Sequence, residues 1–503
     1  MTFSSFVMDT NQAPRASGAQ SSASGSGRRR SQFGYDGIEA KGQRKAATGI
    51  LRSEDQELLP EQRRRLVSGS RDIVRNYTVA AWGIRKHLDY VTSYSPQFRT
   101  GNDARDELLT ELMEEWSKAS NCDVAGRHSL GRMLRLTEAR ATIDGDMLLA
   151  RLKIGKLQAI EGDRVRTPYG GIPAEMGIPS WRLQHGVLTN EVGAAIAFAV
   201  NKRLVGSDFN ALPMSGGFQF ERMVDARHVY QHSYFERFDQ VRGISPLASA
   251  LNTLRDTYEG FNYALAKMKV AQLFGIKFFR KAPEGLGEFE APTSDSDDED
   301  EESEDDTATP PPGGRDYSVD FGQGSIALDL DPGDNAEFMS NDSPGPGFQD
   351  FSQVMIALSL KALDIPYSFY AENFSTYTGA RQAILQYEDS CVEKRKNIRA
   401  LLDWITAWKV LEWWLDGKIP GADIASIKWD WVSRGIPWID PSNEVTADID
   451  SVNAIMNSRT LALRGRGLDF KTIARQVKQE NDFMASLGLA PLNPGPKLMG
   501  VAK

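Results

Sequence analysis

A chain of 503 residues, 41% hydrophobic and 25% charged, can bury a sizeable core and calls for two to four structural regions, which excludes wholesale disorder and a single simple domain. No apolar run approaches the roughly 18 residues of a membrane span and no secretory leader opens the sequence, so residence in the cytoplasm and no membrane partner are expected. The net charge of −9 comes from one tract, Asp295 to Asp306, with ten acidic residues in twelve positions; the remainder is close to neutral, unlike a sequence-specific nucleic-acid binder.

Residues 1 to 60, rich in Ser, Gly and Arg with Arg28, Arg29 and Arg30 in a row, read as a disordered tail, either a solubilising leader or a nucleic-acid or scaffold contact. From Arg71 to Val91 apolar residues recur at three-and-four spacing and predict one amphipathic helix. Two more are predicted over Asp103 to Ala119 and Ser129 to Asp144. After Asp144, Gly145 and Asp146 short apolar runs broken by Gly, Pro and Asp predict strands up to about Arg242. Ser245 and Pro246 are a helix start, a capping hydroxyl before a proline, and the stripe from Leu247 to Met268 predicts about 27 residues of helix. Residues 274 to 347 interrupt the helices with β-like pieces, the acidic tract and a Pro-Gly run; like charges at that density stay solvated. Helix returns over Phe348 to Leu363, stops before Pro366, and resumes from Gly379 to Gly417, then near Val445 to Met456 and Phe470 to Ser486. Seven of ten tryptophans lie from Trp404 onward, which assigns them to core or subunit contacts.

Enzyme constellations are sparse. Gly155-Lys156 and Gly417-Lys418 are followed by Leu157 and Ile419, so the phosphate-cradling loop of an ATPase and its magnesium-binding hydroxyl are missing. His228 and His232 lie four apart on a strand-like segment with no third ligand. Asp144, Asp146, Glu161 and Asp163 could in principle hold a divalent ion but fit turn-forming roles better. Cys122 and Cys391, far apart, are expected to be reduced thiols, and no cofactor, metal or catalytic residue is assigned.

Three segments carry more information. Arg237, Gln240, Arg242 and Gly243 form an R-x-x-Q-x-R-G element leading straight into the Ser245 helix. Leu363-Asp364-Ile365-Pro366-Tyr367 is followed by Phe374-Ser375-Thr376-Tyr377-Thr378-Gly379-Ala380-Arg381. Pro437-Trp438-Ile439-Asp440-Pro441 precedes the last helices. In this order, with Asn121-Cys122-Asp123, Ile160 to Arg164 and Leu330 to Asp334 in support, they resemble the lambda-like phage portal family over about residues 65 to 490. Thr378-Gly379, where the family has a serine pair, and the acidic insertion depart from it.

The resemblance implies an α+β, mainly helical portal fold with a β-rich part. Its expected regions are a wing (61–244), a stem helix (245–273), a clip (274–347) whose insertion at about 293–314 is disordered, and a second stem helix (348–364). A channel loop (365–381), a long wing helix (382–435) and a crown (436–503) complete it. It implies a structural role, a ring of usually twelve copies passing double-stranded viral DNA without sequence preference. The implied partners are the terminase large subunit, the head–tail connector, and capsid and scaffold proteins; the implied location is the virion's portal vertex. The alternatives are a packaging-associated nuclease or protease, or another capsid or connector protein. DNA-channel candidates are Ser375, Thr376, Tyr377, Thr378, Arg381, Lys394, Arg395 and Arg399, the four cations having an ordinary solvated helix face as their other reading.

Overall fold

The computed structural model describes residues 53–168, 172–178, 182–202, 220–272, 276–280, 334–338, 345–372, 377–421, 423–435 and 440–489. Most of the expected tail, the acidic insertion and Ser375-Thr376 lie outside them. The tail's last residues do not: α1 (Glu54–Glu57) is docked, because the Asp55 carboxylate accepts the Val241 N–H at 2.8 Å.

The single helix expected over Arg71 to Val91 is two, α2 (Pro60–Asn76) and α3 (Thr78–Val91). Between them Tyr77 is extended (φ −111°, ψ 115°) and its ring packs edge-on against Tyr258 at 4.4 Å, a tertiary contact that overrides local periodicity. After β1 (Tyr94–Arg99) comes α4 (Asp103–Trp116), capped by Asn102 and burying Leu109, Met113 and Trp116. It stops short of Ala119 because the backbone turns extended at Lys118 (φ −67°, ψ 148°), and the short α5 (Ala119–Cys122) follows. Helix α6 (Leu130–Asp144), with Ser129 as N-cap, ends on Gly145 at φ +97°.

The β-rich part is two small antiparallel sheets. Strand β2 (Asp146–Arg151) is central in one, between β3 (Leu157–Glu161) and β8 (Val229–Ser233); Met147 faces Glu161 on one side and His232 on the other. The other runs in chain order through β4 (Leu183–Gln184), β5 (Val187–Thr189), β6 (Ala195–Asn201) and β7 (Phe220–Asp225). The two-residue period of β2 divides the interior: Leu149 enters the large helical core, whereas Leu148 and Ala150 join Ile160, Val187, Phe198 and Val200 in a second core.

Ser245 caps as its sequence implied, accepting from the Leu247 N–H at 3.2 Å, and a 3-10 turn (Pro246–Ala250) runs into α7 (Leu251–Gln272). Strands β9 (Ile276–Arg280) and β10 (Asp334–Phe338) pair with Arg280 opposite Asp334. Helix α8 (Pro346–Leu360) returns antiparallel to α7: Phe261 packs edge-on against Phe348 at 5.7 Å, and the turn at the end of α8 lies beside the turn that opens α7. A turn (Lys361–Leu363) and α9 (Tyr367–Ala371) lead into α10 (Tyr377–Leu415), 39 residues and about 58 Å long at 1.5 Å per residue.

Strand β11 (Lys428–Ser433) pairs with β1, and Trp431 on it donates to Thr406 of α10 at 3.0 Å. Trp413 and Trp431 are core residues, and Cys122 and Cys391 are buried free thiols. Helices α11 (Pro441–Asn453), α12 (Arg459–Gly465) and α13 (Phe470–Ser486) complete the described chain, α11 starting earlier than expected because Asp440 caps it and Pro441 occupies its first turn.

Candidate functional site

The R-x-x-Q-x-R-G element is a junction. Gln240 stitches the loop before α7, its Oε1 accepting the Glu236 N–H at 3.0 Å and its Nε2 donating to the Arg242 carbonyl at 2.8 Å. Arg242 runs inward and is saturated: it grips both oxygens of Asp146 and donates to the carbonyls of Gly162, His185 and Val165. Arg63 of α2 reaches the same centre, donating to Asp146 at 3.2 Å and to the Gly243 carbonyl at 2.7 Å. Gly243 must be glycine, since a Cβ there would stand 2.0 Å from the Gly145 carbonyl oxygen. Arg242, Asp146 and Gly243 thus lock α2, the α6–β2 turn and the loop opening α7 into one joint. Arg237, by contrast, is half-exposed beside Glu54 and Asp239.

Burial alone would raise the Asp146 carboxyl, but the Arg242 and Arg63 charges outweigh it and hold the group below the usual carboxylate range. Burial and the neighbouring Arg242 push Arg63 down to about 10, which leaves it cationic at neutral pH. The turn-forming roles expected for these carboxylates need correction. Asp144 is held by Arg71 at 2.7 and 2.8 Å, and the same arginine reaches Asp163 at 3.3 Å and Glu161 at 3.6 Å.

A second buried network lies nearby. Glu138 of α6 receives His87 Nε2 at 2.8 Å, His232 Nε2 at 2.6 Å and the Tyr234 hydroxyl. Burial opposes its charge, yet the hydrogen bonds from His232 and His87 prevail and hold it well below the usual range. His228 sits apart in a 3-10 turn. Among the described residues no group of three or more His, Cys, Asp or Glu side chains is placed to hold a metal. None of their helices is long and apolar enough to cross a membrane.

The remaining motif residues gather along α10 from its first turn to its middle. Asp364 is left-handed (φ +61°), Pro366 caps α9, and Tyr367 packs against Tyr370. Tyr377, Thr378 and Ala380 lie in the first turn of α10, Thr378 exposed. Arg381 pairs with Glu444 of α11, which Arg466 also reaches at 3.0 Å. Lys394 donates to the Leu363 carbonyl at 3.1 Å and to Asp364 at 2.9 Å; Arg395 donates to the Tyr90 carbonyl at 2.9 Å and pairs with Glu388. These two are ties within the subunit. Arg399 is half-buried, with its Nε shut away from solvent.

The family model for the phage portal protein, lambda family, matches residues 41–395. The chain belongs to that family. The region matched contains the Arg242 joint, the Glu138 network and the first half of α10. A probable portal protein of Halomonas phage phiHAP-1 is 23% identical over 434 residues, covering 79% of this portal chain and 75% of the relative. Among solved structures, a chain from the neck of the native gene transfer agent (GTA) particle, computed with C12 symmetry, aligns with TM-score 0.42 and 14% identity over 80% of this chain and 94% of its own. A chain from the virion of the native GTA particle aligns with TM-score 0.41 and 13% identity over 84% and 94%. The portal family is structural, and its R-x-x-Q-x-R-G element is here the joint from which α7 departs.

Proposed function

We propose that the chain is the ring-forming portal subunit of a tailed phage, twelve copies joining head to tail around a channel for packaging and ejecting duplex DNA. The expected regions carry over as 61–244 and 382–435 wing, 245–273 and 348–364 stem, 274–347 clip, 365–381 channel loop and 436–503 crown. The terminase large subunit and the head–tail connector dock on this ring at the portal vertex, and assembly takes place in the host cytoplasm with capsid and scaffold proteins.

One observation supports the reading best. The paired helices α7 and α8 carry large apolar side chains on their outside, with Tyr263 72%, Phe351 60% and Leu358 57% exposed. A monomer rarely leaves such a surface open, and closed head-to-tail rings need adhesive faces of this kind on each copy. Near-neutral charge outside the acidic tract fits a conduit, because each phosphate neutralised by Lys or Arg adds affinity that would slow passing DNA. The test is the double variant Phe351→Asp/Leu358→Asp. Loss of rings with the thermal transition retained supports the proposal; intact rings would remove this face from it.

A further inference from the structure

A groove of about 890 Å³ lies between α2, the Gly162–Thr167 turn and the first turns of α7, and eight of its twenty lining residues are arginines against four carboxylates. The inner arginines are occupied: Arg63 and Arg242 hold Asp146, and Arg71 holds Asp144. The outer ones are in excess. Arg64 and Arg65, 56% and 81% exposed, share the single carboxylate of Glu61. Arg75 is exposed and Arg255 lies over Gly69, where an added Cβ would meet its guanidinium at 2.8 Å; neither has an ion pair among the described residues. Arg166, on the facing turn, is pushed down to about 10, chiefly by burial and secondarily by the nearby Arg64 charge.

We propose that this groove is the docking site of the chain's own acidic tract, Asp295–Asp306. Arginine forks pair best with carboxylates and phosphates, and the tract offers ten carboxylates in twelve residues with no opposing cation. Length permits it. From Arg255 to Arg280 the chain spans at most about 55 Å, while the twenty residues from Arg280 to the tract's centre reach about 65 Å when extended. The seated tract would mask a basic patch and keep it from holding nucleic acid.

Because both native cysteines are buried, the pair Ser68→Cys and Ser303→Cys in the full chain takes spin labels selectively. Doubly labelled subunits diluted into unlabelled ones report the distance within one chain by pulsed electron resonance. The expected result is a short-distance population at low salt, lost near about 1 M salt, where screening acts within about 3 Å. It is also lost in Arg64→Glu/Arg65→Glu/Arg75→Glu, three exposed positions; if that variant misfolds, the salt titration carries the test. A long, salt-insensitive distance would overturn the proposal. So would a short distance seen only between labels on different copies, or a short population displaced equally well by a free acidic peptide and by duplex DNA at micromolar concentration.

Discussion

Arg242 and Asp146 meet where solvent does not reach, their side chains 2% and 0% exposed. Such a pair contributes less net stability than its contacts suggest, because both charges lose hydration, but removing one partner strands the other. Asp146→Asn is predicted to destabilise the fold by about 3–5 kcal/mol. Arg242→Lys is predicted to do similar harm, since an ammonium cannot reach Asp146 and three separate carbonyls together. Urea unfolding of the purified variants measures both, and a loss below about 1 kcal/mol, the size of an exposed pair, would show that the joint is dispensable.

Two glycines separate backbone necessity from convenience. Gly243→Ala sets a Cβ against the Gly145 carbonyl, whereas Gly260 in α7 has nothing within 4 Å of its would-be Cβ. We expect Gly243→Ala to lower stability by at least about 2 kcal/mol and Gly260→Ala to raise it by about 0.5–1 kcal/mol. Thermal unfolding at matched concentration distinguishes them; equal effects would contradict the packing described.

Acid should unfold the protein through Glu138 and Asp146. Both are held below their ordinary values of 4.5 and 3.8, so their contribution is fully present above those values and lost as pH falls through the depressed ones. Below about pH 4.5 stability should fall by up to about 1.4 kcal/mol per pH unit for each proton taken up on unfolding. Urea midpoints across that range test this. Glu138→Gln should flatten the slope, and an unchanged slope would assign the acid sensitivity elsewhere.

Much of this architecture is legible in the sequence. Ser245-Pro246 marks the true start of the α7 rod, Ser129 caps α6, and Phe470 to Ser486 is α13 as read from its spacing. The break at Tyr77 is not legible, because its cause is a ring 181 positions away. The buried networks escaped for the same reason: Asp146 is 96 residues from Arg242, and Glu138 is 94 from His232. A signal existed in Glu138, which sits on the buried face of α6 beside Leu134 and Thr142, where an isolated carboxylate cannot stay charged without partners. Lys394 and Arg395 read as solvent-facing cations because a helical wheel cannot show which carbonyls end nearby.

Deleting residues 293–314 should leave assembly intact. The β9–β10 ladder already closes the chain at Arg280 and Asp334, outside the deletion on both sides. Sedimentation of the deleted chain should match the full one, and failure to assemble would make the insertion structural.

The central claim is tested most directly by imaging the purified full-length chain and weighing the same particles by light scattering. Twelve copies of 55.8 kDa predict closed rings of about 670 kDa with an open centre. A compact monomer at every concentration that still folds would contradict it.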